Sequence, residues 1–61
     1  MDEAEVRAHI NSVFGPEGAQ EWLKSRPLIF GGKTPEEVLQ DPGGLIWISQ
    51  VLTKIEYGGA A

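Results

Sequence analysis

The 61-residue sequence contains no cysteine. No disulfide can staple it, and no thiolate can hold a metal. It has one histidine, His9, and a lone imidazole does not build a zinc site. Basic residues are scarce: five Lys and Arg stand against nine Asp and Glu, for a formal net charge of −4. Phosphate binding needs a basic face, so neither DNA nor RNA is expected as the main ligand. No apolar run approaches the ~18 residues of a membrane-spanning helix. The acidic start, Met1 to His9, matches neither a signal peptide nor a transit peptide. With cysteine absent as well, a cytoplasmic location is expected.

Convergent catalytic groups are also lacking. A nucleophile needs a base and an orienter, and His9 has no such set in the sequence; it reads as a surface or boundary residue. Glu36 and Glu37 are adjacent, and neighbouring helix positions point in different directions. Gly31-Gly32-Lys33-Thr34 resembles the end of a phosphate loop. However, Pro27 stands where that loop's first glycine belongs, no strand precedes it, and Pro35 has no N–H to donate. The chain is not expected to be an enzyme, and no cofactor or metal is implied.

What is present is one domain at most. In so short a chain the free energy of apolar burial roughly cancels the entropy of ordering. Without disulfide or metal, the remaining support is another polypeptide. Self-association, as a dimer, is therefore expected.

Glycine and proline punctuate the chain at Gly15-Pro16, Pro27, Gly31-Gly32, Pro42-Gly43-Gly44 and Gly58-Gly59. Every segment between reads as helix, so an all-α fold of about four short helices is expected. The first runs from about Asp2 to Phe14, with Asp2 as cap and an apolar stripe of Val6, Ile10, Val13 and Phe14. Gly15 is expected to stop it. The second runs from about Pro16 to Ser25 and joins Ala19, Trp22 and Leu23 on one face. The connector Leu28-Ile29-Phe30 is too apolar for a solvated loop and is expected to fold back onto the core.

Thr34-Pro35-Glu36-Glu37 is a capping box with proline at the first helical position. The short helix it opens, carrying Val38 and Leu39, ends at Asp41-Pro42. The last helix, about Gly44 to Tyr57, is the most apolar. Leu45, Ile48, Val51, Leu52 and Ile55 form its core stripe. Trp47 widens that face to an arc of roughly 160°, and Ile46 lies off it. Trp22 is expected in the core. Ile46 and Trp47 divide evenly between core and partner surface.

These motifs, taken in order, resemble a known family. Trp22-Leu23, the run Leu28 to Leu39, Asp41-Pro42-Gly43, and Val51-Leu52-Thr53-Lys54-Ile55-Glu56-Tyr57-Gly58 are similar to the toxin-binding domain of the MbcA/ParS/Xre antitoxins. The resemblance spans about Val6 to Ala61. It implies a compact helical domain that binds a cognate toxin, usually of RES-type fold, which consumes NAD or transfers ADP-ribose. It also implies self-association, and a C-terminal end lying at the toxin's active-site entrance. The candidate partner-binding residues are accordingly Ile46, Trp47, Lys54, Glu56, Tyr57, Gly58 and Gly59, with Ala60 and Ala61 following.

Two departures from the family pattern stand out. Only about 20 residues precede Trp22, too few for the helix-turn-helix that many members carry, so promoter binding is not expected. Thr53-Lys54 replaces a frequent glycine-arginine pair, and lysine cannot make arginine's bidentate contacts. The alternative reading is a self-associating structural or adaptor module without a toxin partner.

Overall fold

The computed structural model describes residues 2–58, which form three α-helices and one 3-10 turn. Helix α1 spans Glu3–Lys24. The Asp2 carboxylate caps it, accepting from the Glu5 backbone N–H at 2.9 Å, and Glu3 and Glu5 sit at the positive end of the helix dipole.

The two helices expected over 2–14 and 16–25 are here one element with a sharp break. Gly15 takes φ 79° and ψ 165°, outside helical space. This is backbone territory that essentially only glycine enters. A single residue is spent on the break, because Pro16 needs no N–H partner and restarts the helix at once. Gly15 thus breaks the helical backbone where expected, and the two arms on either side of it count together as the single kinked element α1. With α1 so counted, the described residues form three α-helices.

The 3-10 turn Leu28–Phe30 follows α1. Phe30 enters the core at 3% exposure, but Leu28 is 98% exposed and Ile29 52%. The expectation that all three fold inward fails for a geometric reason. A 3-10 turn has about three residues per turn, so consecutive side chains point in three directions and one faces the core.

Helix α2 spans Pro35–Gln40. Its capping box is fully formed: the Glu37 N–H donates to Thr34 Oγ1 at 3.1 Å, and the Thr34 N–H donates to Glu37 Oε1 at 2.8 Å. Lys33 Nζ reaches Asp41 Oδ2 at 2.6 Å, bridging the two ends of α2. Arg7 ties α2 to α1. Its Nη1 donates to Glu36 Oε2 at 3.2 Å, its Nη2 pairs with Glu36 Oε1, and its Nε donates to Glu3 Oε2 at 2.9 Å.

Helix α3 spans Gly44–Tyr57. The turn before it is tight: the Gly44 N–H donates to the Asp41 carbonyl at 2.9 Å, and Gly43 is left-handed at φ 75°. Gly44 is buried, and a Cβ there would lie 1.7 Å from the Val38 carbonyl oxygen. Beyond it, Ile48 and Leu52 are fully buried and Val51 is 9% exposed. They share one core with Val6 and Ile10 of α1, Ala19, Phe30, Val38 and Leu39. Leu45 packs at its margin. Ile55, expected in the same stripe, is 39% exposed. The helix has outrun the core by that point, since Leu52 is its last buried residue.

Two predictions follow from these contacts. Gly44→Ala is expected to destabilise the fold by about 3 kcal/mol, because backbone rather than a flexible side chain occupies the space. Urea denaturation measures this, and a loss under about 0.5 kcal/mol would contradict the close approach.

The second concerns acid. The Arg7 guanidinium, hydrogen-bonded to Glu36, holds that carboxyl below its ordinary range. The Thr34 backbone N–H and hydroxyl do the same for Glu37. Both folded-state pKa values lie below the unfolded ones, so the stabilisation is fully present above about pH 4.3 and is lost as pH falls through the folded values. Tm is expected to decline across that acid window. Glu37→Gln, which preserves a capping-box partner, should shallow the decline.

Candidate partner-binding face

The side of α3 opposite its core stripe is built by helical periodicity. Ile46, Gln50, Thr53 and Tyr57 recur at intervals of four, three and four residues, which aligns them along one edge. All four are exposed, Ile46 at 59% and Tyr57 at 83%. Trp47 and Lys54 flank that edge on one side and are exposed too. Lys54 has no ion-pair partner among the described residues.

Trp47 is both anchored and presented. Its ring meets Phe30 edge-to-face, with centroids 5.0 Å apart and an interplanar angle of 82°. Phe30 in turn meets the Trp22 ring at 6.1 Å and 66°, and Trp22 stacks on Phe14 at 4.9 Å and 26°. Four rings thus run from the kink of α1 to the edge of α3. Such contacts fix ring orientation and contribute roughly 0.5–1.5 kcal/mol per pair beyond burial. Trp47 nevertheless keeps 40% of its surface exposed, so the choice between core and surface resolves as both. Trp22 packs against the core as expected.

The other candidates are placed differently. Glu56 does not join the outer edge: its carboxylate lies 2.9 Å from His9 Nε2 on α1. Gly58 closes α3 by donating its N–H to the Lys54 carbonyl at 2.7 Å. Gly59, Ala60 and Ala61 lie outside the described residues. The structure thus brings Ile46, Trp47, Lys54 and Tyr57 onto one continuous side and turns Glu56 away from it.

Leu28 and Ile29 were not candidates and belong to the same description. Phe30, the seat of Trp47, is in their turn, and both of their side chains are exposed. The three-residue 3-10 period applied to an apolar triplet was the available signal.

Chemistry beyond contact is thin. Ser49 lines a shallow recess with His9, Glu5 and Val6, but no hydrogen bond joins Ser49 Oγ to His9 among the described residues, and a nucleophile needs that link. A larger recess of about 390 Å³ between α1 and α2 is lined by Arg7, Asn11, Ala19, Gln20, Leu23, Lys24 and Glu36. Its most prominent charges, Arg7 and Glu36, already neutralise each other. No cluster of three potential metal ligands occurs among the described residues. No described helix is long and apolar enough to cross a membrane.

A small helical domain with exposed Ile46, Trp47 and Tyr57 along one helix has the surface of a protein-binding module. The family model of the antitoxin Xre/MbcA/ParS C-terminal toxin-binding domain matches residues 11–58. That span covers most of the chain, and the chain belongs to this family. The match begins within the first half of α1, later than the resemblance read from Val6 onward. No curated protein and no solved structure matches the chain.

Proposed function

We propose that the chain is an antitoxin that neutralises a cognate RES-type toxin, one that consumes NAD or transfers ADP-ribose. The outer edge of α3 docks on the toxin, and the C-terminal end of α3 covers the entrance to its active site. The observation that carries the reading is the exposed set Ile46, Trp47 and Tyr57 on the most apolar helix of a domain whose family binds toxins. Tryptophan and tyrosine are the residues that concentrate binding energy at interfaces. Trp47 arrives pre-oriented by Phe30, which reduces the ordering cost of association. Lys54 supplies a point charge beside that edge; a carboxylate or phosphate on the toxin is its natural complement.

Co-expression with the toxin encoded next to this chain is expected to rescue growth. Ile46→Arg should weaken the purified complex at least about ten-fold, the scale of losing one interface anchor. Its Tm should stay near wild type, because Ile46 is outside the core. Undiminished binding by Ile46→Arg would remove α3's outer edge from the interface.

A dimer accompanies this reading, supported by the large apolar side chains of Leu28 and Ile29, which the 3-10 turn leaves exposed. Sedimentation equilibrium is expected to show a dimer that Leu28→Asp shifts to monomer. A monomeric wild-type chain would end that part of the proposal.

A further inference from the structure

The end of α3 is held differently from the rest of the helix. Every residue from Thr53 to Gly58 is exposed. The helical part of that segment, Thr53 to Tyr57, extends about 7 Å beyond the last buried residue at 1.5 Å per residue. A helix end with no fully buried residue tends to fray. Thr53 Oγ1 donates to the Ser49 carbonyl at 3.0 Å, and the Gly58 N–H to Lys54 at 2.7 Å, but both bonds stay within the helix.

One polar contact leaves the helix from this segment. His9 Nε2 meets Glu56 Oε1 at 2.9 Å, joining α1 to the terminal turn of α3. Among the described residues, no other hydrogen bond or ion pair connects residues 53–58 to another element. The carboxylate can only accept, so Nε2 carries the proton. Both side chains are about two-thirds covered, at 32% and 30% exposure. His9 stands on a fixed base, because Val6 and Ile10 on the same helix are 3% and 0% exposed.

We infer that His9 and Glu56 form a positioning pair that sets the orientation of α3's terminal turn. The pair thereby sets how Lys54 and Tyr57 are presented and the direction in which the chain leaves at Gly58. Glu56 then acts through His9 rather than by touching the partner. The functional meaning of the pair rests on the proposed docking of α3. His9 lies outside the residues matched by the family model, so the pair joins the family's last helix to a part of the chain beyond the matched span.

Amide hydrogen exchange on the full chain tests the pair without any partner. His9→Ala is expected to speed exchange at Glu56, Tyr57 and Gly58 about five-fold, the scale of one net hydrogen bond, while Ile48 and Leu52 stay unchanged. His9→Gln, whose amide can still donate to Glu56, should restore protection. Equal exchange in His9→Ala and wild type overturns the inference.

The second arm measures inhibition of the co-expressed toxin. His9→Ala should weaken it about five-fold with Tm unchanged, and His9→Gln should recover it. Full inhibition by a His9→Ala chain with a loosened turn overturns the positioning role. If wild type itself fails to inhibit, the proposed function is lost, and the exchange result still decides the pair.

Discussion

The approach of Gly44 to the Val38 carbonyl governs how the three helices meet. A Cβ at position 44 would fall 1.7 Å from that oxygen, so α3 can start where it does only because its first residue has no side chain. Bringing the axes this close places Ile48 and Leu52 against Val38 and Ile10, the side chains with no exposure at all. Helix α2 has only six residues, too few to persist by its own propensity. It is helical because the capping box closes its start and α1 and α3 cover its apolar residues. The same closeness makes position 44 intolerant of any side chain.

No polar side chain is buried among the described residues. The polar ties lie at the rim. Arg7 links α1 to the start of α2, Lys33 links the two ends of α2, and His9 links α1 to the end of α3. Each pair is partly exposed and individually modest in energy. Their shared effect is on angle and register, since a core of Val, Ile and Leu is non-directional while hydrogen bonds are not.

The division of α3 into a buried face and an exposed edge follows from helical periodicity, and its length carries its last turn past the core. Its first nine residues supply the buried contacts and its last five extend past them. An edge of Ile46, Trp47 and Tyr57 is left uncovered on a helix that the core holds firmly at one end. Rigidity beside exposure favours the proposed docking, because an anchor already in place loses little entropy on association. The aromatic series from Phe14 to Trp47 carries that rigidity from the kink of α1 to the edge itself.

Local rules were legible in the residues themselves. The capping box at Thr34, the break at Gly15, the turn at Pro42-Gly43-Gly44 and the stripe through Ile48, Val51 and Leu52 each depend on spacing within one segment, and spacing is written in the chain. So was the family, since its motifs keep their order. The exposure of Leu28, Ile29 and Ile55, the half-covered seat of Trp47, and the pairing of Glu56 with His9 and of Glu36 with Arg7 were not. Each depends on what stands across from the residue, and that is set by where the kink at Gly15 aims α1 and how closely Gly44 lets α3 approach α2. Periodicity reports which side of a helix is apolar, but only the packed arrangement decides how much of that side another helix is long enough, and near enough, to cover.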